Sequence, residues 1–358
     1  MKQGEVVAGV LTAARGRVLL ARRTEGRDLA GLRELPGGKR EPGETPEAAL
    51  ARELHEELGI EARIREHLIT VPQAYPDKRL RLDVRHVTHW TGIPRGREGQ
   101  ALAWVPPDKL ASYAMPPADI PVVAALLQPA LYAITPHVCG SGYSRDRVYG
   151  SAYSRDRDQD EIAAIAAPTK ESGDAQTVVR DWLSALDATL ASGITRIQLR
   201  LPGVDPDLHR QLATAAAECC RRVGATLLLN ADIALARELG TGVHLRAAQL
   251  AGLAERPLLA EGAPLAASCH TASELAHAAR LGCDFAVVGA LKPTATHPGE
   301  PGIGWDAFAR LREGVSLPIY AIGGLAPTDL EEARRHGAQG IAAIRSLWSP
   351  AAPSRQPS

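Results

Sequence analysis

The sequence has no surplus of charge of either sign, because 41 basic residues are balanced by 41 acidic ones. Proteins that bind nucleic acid or an anionic membrane usually carry a strong positive charge, so we expect neither partner. The five cysteines are odd in number and form no C-x-x-C pair. This composition favours reduced thiols over a disulfide framework or a zinc site.

Long hydrophobic runs and a signal peptide are also missing. The most apolar stretch, from Ile120 to Ile134, is interrupted by Pro121 and Pro129 and is too short to span a bilayer. Residues 1–17 contain neither the apolar segment nor the cleavage site of a secretory signal. We therefore expect a cytoplasmic protein.

The pattern of the chain changes near residue 130, and 358 residues are enough for two domains of roughly 100–200 residues each. Before that point, alternating segments predict strands, and two stretches have helical periodicity. The predicted strands are Glu5–Ala14, Arg17–Arg23, Ala62–Val71, Arg79–Trp90 and Ala101–Val105, and the predicted helices are Thr45–Leu58 and about Ala118–Leu127.

After residue 130, eight short apolar segments alternate with helical stretches. The predicted strands are residues 130–135, 196–201, 226–231, 242–246, 264–269, 285–291, 318–323 and 340–345. Such alternation over ~200–250 residues predicts a parallel (β/α)8 TIM barrel. We expect domains at 1–129 and 130–348, with a tail at 349–358.

A polar, charged segment interrupts the barrel pattern after its first strand. SGYSRDRVYG at residues 141–150 is nearly duplicated as SAYSRDRDQD at residues 151–160. Because the segment has few aliphatic residues, we predict a disordered insertion at about 138–173. A solvated loop left by a tandem duplication and a basic-aromatic contact to a nucleotide are both open alternatives.

The stretch from Gly38 to Ile60 has the pattern G-x5-E-x7-R-E-U-x-E-E-x-G-U, in which U is an aliphatic residue. Its helical part places Glu53, Glu56 and Glu57 at i, i+3 and i+4, on one face of a helix. Three carboxylates on one face repel each other unless a cation lies among them. Hard oxygen ligands suit Mg²⁺ or Mn²⁺, and a solvated acidic face is the alternative.

This pattern resembles the box of the Nudix hydrolase family, which implies an α/β/α fold with a mixed sheet. The resemblance implies that Glu53, Glu56 and Glu57 hold the metal, while Arg52 pairs with Glu44 and fixes the carboxylates. The metal would activate a water molecule that attacks a phosphorus atom.

The loop before the helix has implied roles as well. Gly37 and Gly38 let the backbone approach the metal and the phosphates, and in this family the carbonyl of Gly37 can itself be a ligand. Lys39 can offer positive charge to the phosphates.

Further segments resemble the MutT-type 8-oxo-dGTP diphosphatases within this family. GLRELPGGKREPGE at residues 31–44 is similar to their glycine-rich loop. REGQALAWV at residues 97–105 places Glu98 where they carry a further acid, which implies a metal ligand or general base. An ordinary surface position is the alternative for Glu98.

MPPADIPVV at residues 115–123 is similar to the segment that carries their base-recognising asparagine, which is Asp119 here. An ionised aspartate only accepts hydrogen bonds. It could therefore accept from the N7–H of the oxidised base, but it could donate to O6 only when protonated. A helix N-cap is the alternative role for Asp119.

Polar and glycine residues follow the predicted barrel strands at their carboxyl ends, where barrel enzymes place their sites. They are Arg200, Asn230, Ser268, His270, Thr294, Thr296, His297, Gly323, Gly324, Arg345 and Ser346. The two glycines and the end of the eighth strand predict a phosphate site built from backbone N–H groups.

The segments ALYAIT, SCHT, VVGALKPTATHPG and PIYAIGGL, in this order, resemble the thiamine phosphate synthase/TenI family. The resemblance implies a phosphorylated thiazole or pyrimidine ligand. Four positions depart from the pattern: Ala231 and Gln249 replace acidic Mg²⁺ ligands, and Pro202 and His297 replace lysines. Because a diphosphate leaving group is poorly stabilised without metal or lysine, we expect weak or no synthase activity.

His270 matches the catalytic histidine of the thiazole tautomerase branch. Tautomerisation needs only an acid–base group near neutral pKa and a phosphate anchor. A structural histidine at the barrel rim and a non-catalytic binding or docking barrel are the alternatives.

The expected function is Mg²⁺-dependent hydrolysis of 8-oxo-dGTP to 8-oxo-dGMP and diphosphate, which removes a mutagenic nucleotide from the pool used for DNA replication. The alternative is a Nudix hydrolase of a thiamine-related diphosphate, coupled to a synthase or tautomerase barrel. In either case the partners are small molecules, without direct contact to nucleic acid or membrane.

Overall fold

The computed structural model describes residues 2–26, 28–136, 175–293 and 301–348. It divides into two compact units: Met1–Ala130, Trp305–Ile319 and Glu331–Gln339 in the first, and Leu131–Gly304, Tyr320–Leu330 and Gly340–Ser358 in the second. The domain limits at 1–129 and 130–348 stay a prediction. The predicted insertion at 138–173, the tail at 349–358, and Thr294, Thr296 and His297 lie outside the described residues.

The N-terminal elements form two sheets. In chain order they are β1 (Lys2–Leu11), β2 (Val18–Arg22), β3 (Arg33–Glu34), β4 (Gly37–Lys39), α1 (Pro46–Leu58), β5 (Glu61–Ala74), β6 (Lys78–Thr91), β7 (Leu102–Val105) and α2 (Ile120–Leu127). The larger sheet has the order β4-β1-β6-β5, and the smaller one β3-β2-β7. Because β1 pairs parallel with β6 and antiparallel with β4, the larger sheet is mixed, as predicted.

Strand β1 packs against a helix on each of its two faces. This is possible because successive side chains of a strand point to opposite faces. Val7 packs in one apolar cluster with Leu54 of α1. Val10 packs in a second cluster with Val122 of α2. The layers are therefore helix, sheet and helix, in agreement with the predicted α/β/α fold.

Helix α1 begins and ends where its sequence predicts. The Thr45 hydroxyl accepts a hydrogen bond from the Ala48 N–H at 3.2 Å, and Pro46 is the first helical residue, both of which favour a helix start. Gly59 ends the helix at φ +71°, where its N–H donates to the His55 carbonyl. A left-handed backbone of this kind favours glycine.

The second part of the chain forms a barrel. Its elements are β8 (Leu131–Ile134), α3 (Ala175–Ala191), β9 (Arg196–Leu199), α4 (Pro206–Val223), β10 (Thr226–Asn230), α5 (Ile233–Leu239), β11 (Gly242–Leu245), α6 (Ala247–Gly252), β12 (Leu265–Cys269), α7 (Ala272–Arg280), β13 (Phe285–Gly289), α8 (Gly304–Arg312), β14 (Ile319–Ile322), α9 (Leu330–Arg335) and β15 (Gly340–Ala343). Strands β8 to β15 close in chain order, with β15 beside β8. The predicted (β/α)8 barrel is confirmed.

Aromatic rings fill the centre of the barrel. Tyr132, Phe285 and Tyr320 contact one another with ring centroids 5.2 to 5.7 Å apart. The buried Arg196 guanidinium lies 4.6 Å from the centroid of Phe285 and donates to the Tyr320 hydroxyl at 2.7 Å. The interior is therefore a packed core, and polar groups that bind a ligand must lie near its end.

Within the described ranges, no helix has both the length and the apolar character needed to cross a membrane.

Candidate functional site

Arg52 connects the acidic side chains of α1 with the loop that precedes the helix. Its Nε and Nη2 donate to the two carboxylate oxygens of Glu44 at 2.9 and 3.0 Å. Its Nη1 donates to Glu53 at 3.0 Å and to Glu56 at 3.2 Å, and Nη2 also reaches the Lys39 carbonyl. The two-pronged bond from Arg52 is the main reason that the pKa of Glu44 falls to about 2. Glu44 is therefore an ionised anchor for Arg52.

Glu53 lies directly against the glycine loop. A Cβ added to Gly38 would be 2.1 Å from the Glu53 Oε2 atom, so a larger residue there would displace this carboxylate. Burial raises the pKa of Glu53, and the neighbouring charges of Glu56 and Glu98 raise it further, against the hydrogen bond from Arg52. The carboxylates of α1 and the Glu98 loop are thus close enough to repel one another.

Gly37 brings the loop to Glu57. The Gly37 N–H donates to the buried Glu57 carboxylate at 3.2 Å. Gly37 has φ +153°, and a Cβ there would be 2.1 Å from the Val7 carbonyl oxygen. At Gly37, β4 therefore lies beside β1 at a distance that excludes any side chain.

The carboxylate and carbonyl oxygens of these residues are suited to a divalent cation by their chemistry. In the part of the chain that the structure describes, no three acidic, histidine or cysteine side chains already converge on a metal-binding point. Arg52 holds Glu53 and Glu56 instead, and Gly37 holds one oxygen of Glu57. Carboxylate and carbonyl oxygens are the ligands that Mg²⁺ and Mn²⁺ prefer. A cation would relieve the repulsion from Glu56 and Glu98 that adds to the effect of burial on the pKa of Glu53.

A shallow cleft adjoins this acidic face. It is lined by Ala21, Arg22, Arg23, Thr24, Glu34, Glu57, Glu98 and Gln100. Glu57 and Glu98 connect it to the carboxylates, and Arg23 forms an ion pair with Glu34 at its wall. Arg23, Glu34 and Gln100 were not predicted from the sequence. For Glu34 and Gln100 a signal existed, because they lie within the two segments that carry the predicted residues Gly37 and Glu98.

Asp119 is buried and turned toward the glycine loop. Its Oδ1 accepts a hydrogen bond from the Leu35 N–H at 3.1 Å. Burial raises the pKa of Asp119 to about 7, although the Leu35 hydrogen bond opposes the shift. Asp119 stands at the N-cap position of α2, but its side chain forms no capping hydrogen bond with the helix. At neutral pH both the acid, which can donate, and the carboxylate are present.

In the barrel, the buried His244 joins two hydroxyl groups. Its Nδ1 lies 3.1 Å from the Tyr132 hydroxyl and its Nε2 lies 2.9 Å from the Ser268 hydroxyl. Burial lowers the pKa of His244 to about 3, so the imidazole is neutral. His244 was not predicted from the sequence, because a histidine within an apolar strand gives no indication of its partners.

The two positions at which the resemblance expects acidic metal ligands lie side by side. The Gln249 side-chain amide donates to the Ala231 carbonyl at 2.9 Å. The Gln249 side chain also accepts from the Arg246 N–H at 3.2 Å. Asn230, the neighbour of Ala231, accepts from the Gln198 amide at 2.9 Å. Where the resemblance expects two acidic Mg²⁺ ligands, the structure therefore has a hydrogen bond from the Gln249 amide to the Ala231 carbonyl.

The other predicted barrel residues are spread along its carboxyl end. His270 is exposed, and its N–H donates to the Glu274 carboxylate at the start of α7. Arg200 is half-buried, and its N–H donates to the Thr135 hydroxyl. Arg345 is exposed.

The backbone of the predicted phosphate loop has positive φ angles, which favour glycine. Gly323 and Gly324 have φ +111° and +66°, and a Cβ on Gly323 would be 2.6 Å from the Cα of Ala290. The Ser346 hydroxyl donates to the Leu325 carbonyl at 2.7 Å. The end of β15 therefore meets the loop after β14, whereas Thr294 and Thr296 lie outside the described residues.

Comparison with known proteins gives a separate result for each part. Residues 7–125 match the family described as NUDIX domain, and residues 171–347 match the family described as thiamine monophosphate synthase. The N-terminal part is 41% identical over 136 residues to the CTP pyrophosphohydrolase of Escherichia coli, covering 38% of this chain and 98% of that protein. It is 42% identical over 123 residues to the 8-oxo-dGTP diphosphatase of Haemophilus influenzae, covering 34% and 90%. The C-terminal part is 30% identical over 178 residues to the thiamine-phosphate synthase of Thioalkalivibrio sulfidiphilus, covering 49% and 84%.

Proposed function

The chain belongs to the Nudix family through its N-terminal part and to the thiamine monophosphate synthase family through its C-terminal part, and we propose that the Nudix part hydrolyses a nucleoside triphosphate to a monophosphate and diphosphate. One observation carries the proposal. Arg52 holds Glu44, Glu53 and Glu56 together while Glu53 lies against Gly38, so the carboxylates and the glycine loop form one preorganised group.

Glu53, Glu56, Glu57, Glu98 and the Gly37 carbonyl would hold Mg²⁺ or Mn²⁺. When bound, the metal supplies charge neutralisation at the phosphates and a more acidic water. Arg52 orients the Glu53 and Glu56 carboxylates, and Gly37 orients Glu57 through its N–H. Such supporting bonds keep ligands in place before substrate arrives.

The remaining residues act on the substrate. As general base, the alternative to its role as a metal ligand, Glu98 accepts the proton of the attacking water, whose oxygen forms the new bond to phosphorus as the bridge between the α- and β-phosphates breaks. Lys39 adds positive charge to the phosphates, and Gly38 lets the backbone approach them. The phosphate on the other side of the bridge leaves with the bridging oxygen and the electron pair of the broken bond, so that one water yields one nucleoside monophosphate and one diphosphate.

The proposed substrate is 8-oxo-dGTP, because Asp119 is buried beside the glycine loop with a pKa of about 7. Its protonated carboxyl can accept from the N7–H of the oxidised base and donate to O6. Unoxidised guanine presents two acceptors, N7 and O6, on the same edge. Asp119 therefore matches the oxidised base better than it matches guanine. By hydrolysing 8-oxo-dGTP in a cytoplasmic nucleotide pool, the enzyme would keep the oxidised base out of DNA.

Cytidine triphosphate is a second candidate. The relative that is 41% identical over nearly its whole length is a CTP pyrophosphohydrolase. Cytosine presents the N4–H donor beside the N3 acceptor, an edge that the same protonated carboxyl of Asp119 can match. Both bases can therefore pair with Asp119, and both substrates make the same demand on the carboxylates of α1.

For the barrel we propose binding of a phosphorylated thiazole or pyrimidine with weak or no synthase activity. The Gln249 amide bonded to the Ala231 carbonyl supports this, because neither residue supplies a carboxylate for Mg²⁺. His270, Arg200, Asn230, the Gly323–Gly324 loop, Arg345 and Ser346, with Thr294 and Thr296, stay the predicted site residues. Thiamine phosphate formation by the full chain at a rate typical of a synthase, about 1 s⁻¹ or more, would contradict the proposal.

The substrate is tested by measuring kcat/KM of the full chain with Mg²⁺ for 8-oxo-dGTP, dGTP, CTP and thiamine diphosphate. Glu53→Gln is the inactive variant, and Glu61→Gln, an exposed acid outside the site, is its matched control. A preference for 8-oxo-dGTP over dGTP of about tenfold or more, about 1.4 kcal/mol, supports the first proposal. Preference for CTP transfers support to the second, and preference for thiamine diphosphate overturns both.

A further inference from the structure

The loop of residues 95–100, called the latch loop below, is attached to the carboxyl end of α1. The Arg95 N–H donates to the Leu58 carbonyl at 3.0 Å, and the Arg97 N–H donates to the Glu57 carbonyl at 2.9 Å. The last carbonyls of a helix have no partner within the helix. The latch loop therefore completes the hydrogen bonding of the helix that carries the acidic residues.

The Arg97 side chain strengthens this attachment. Its Nη1 donates to the His55 carbonyl at 3.2 Å. Its guanidinium lies so close to Gly59 that a Cβ there would be 2.5 Å from Nε. A positive charge at a helix carboxyl end interacts favourably with the helix dipole. Gly59 therefore serves two purposes, the left-handed turn and the space for Arg97.

Gln100 connects the same helix end to Glu98. Its Nε2 donates to the Glu57 carbonyl at 3.3 Å, and its Oε1 accepts from the Glu98 N–H at 2.8 Å. One side chain thus bridges the main chains of two acidic residues of the site. Glu57, Glu98 and Gln100 also line the same cleft.

We propose that Arg97 and Gln100 are positioning residues, which hold the Glu98 carboxylate beside Glu53 and Glu57. Gly99, at φ +79°, turns the chain between Glu98 and Gln100, and the Gln100 side chain meets the Glu98 N–H. Among the described residues, Arg97 bonds to the helix end, and it acts through Glu98. The inference rests on the proposed hydrolase function, in which Glu98 takes part.

The first test is a double-mutant cycle on the full chain, with the nucleotide that it hydrolyses best. Arg97→Ala lowers kcat by about tenfold with little change in KM, since displacing a reacting group by an ångström is enough for such a loss. In the Glu98→Gln background the same substitution changes kcat by less than about twofold, because the two residues act as one unit. Arg95→Ala is the matched control: it removes the same charge from the same loop and keeps its main-chain bond to Leu58.

The second test does not depend on activity. Hydrogen exchange of the backbone N–H at position 97 becomes about tenfold faster in Arg97→Ala and stays unchanged in Arg95→Ala. Equal loss of kcat with and without the Glu98 carboxylate overturns the proposal, as does unchanged exchange in Arg97→Ala. If the unsubstituted chain hydrolyses no nucleotide, the proposed function fails. The exchange measurement then tests on its own whether Arg97 attaches the latch loop to α1.

Discussion

Replacing Asp119 by asparagine should remove a pH dependence from the stability of the N-terminal unit. Burial raises the pKa of Asp119 from 3.8 to about 7, and a tenfold change in proton affinity corresponds to about 1.4 kcal/mol. The native state binds the proton more tightly than the unfolded chain does. The stabilisation is therefore complete below pH 3.8 and is lost as the pH rises to about 7, by about 4 kcal/mol in total.

Asparagine keeps an oxygen that can accept from the Leu35 N–H, but it does not ionise. The Asp119→Asn chain should therefore gain stability relative to the unsubstituted chain as the pH rises. The gain between pH 5 and pH 8 should be about 2–3 kcal/mol, because part of the loss has already occurred at pH 5. Chemical unfolding of both chains at the two pH values measures it. A stability difference that is the same at pH 5 and pH 8 would refute the burial of an ionisable Asp119.

Three further substitutions probe the site and the barrel. Gly38→Ala places a Cβ 2.1 Å from the Glu53 carboxylate, so steady-state kcat should fall by about 10²-fold with circular dichroism unchanged. Arg52→Lys cannot donate to Glu44 with two prongs, so kcat should fall by about tenfold or more, and an unchanged kcat would contradict the role of Arg52. Because the pKa of His244 is lowered from 6.5 to about 3, the barrel should lose stability as the pH falls below about 6.5. Thermal unfolding at pH 7 and pH 4 should show a smaller loss for His244→Gln, and nucleotide hydrolysis at pH 7 should not change.

The sequence predicts those parts of the fold that depend on local chemistry and spacing. Thr45, Pro46 and Gly59 define α1 because a cap, a first-turn proline and a left-handed glycine act over a few residues. The barrel strands are predictable for the same reason, since they are short apolar runs between helical stretches. The spacing of Glu53, Glu56 and Glu57 is fixed by the helix that contains them.

An environment created by distant segments cannot be predicted in this way. Asp119 stands at the N-cap position of α2, but its carboxylate bonds to Leu35, which is 84 positions away in the chain. The pKa of about 7 follows from burial, which no local pattern indicates. His244 is paired with Tyr132, 112 positions away. Arg97 has no signal at all, because only the folded chain brings its guanidinium to Gly59.

The position of bond cleavage tests the central claim most directly. The full chain is incubated with its best nucleoside triphosphate and Mg²⁺ in ¹⁸O-labelled water, and the products are identified by ³¹P NMR and mass spectrometry. We predict nucleoside monophosphate and diphosphate in equal amounts, one ¹⁸O per turnover, and loss of both products in Glu53→Gln. Release of orthophosphate with a nucleoside diphosphate, or undiminished turnover in Glu53→Gln, would contradict a Nudix hydrolase that acts through the carboxylates of α1.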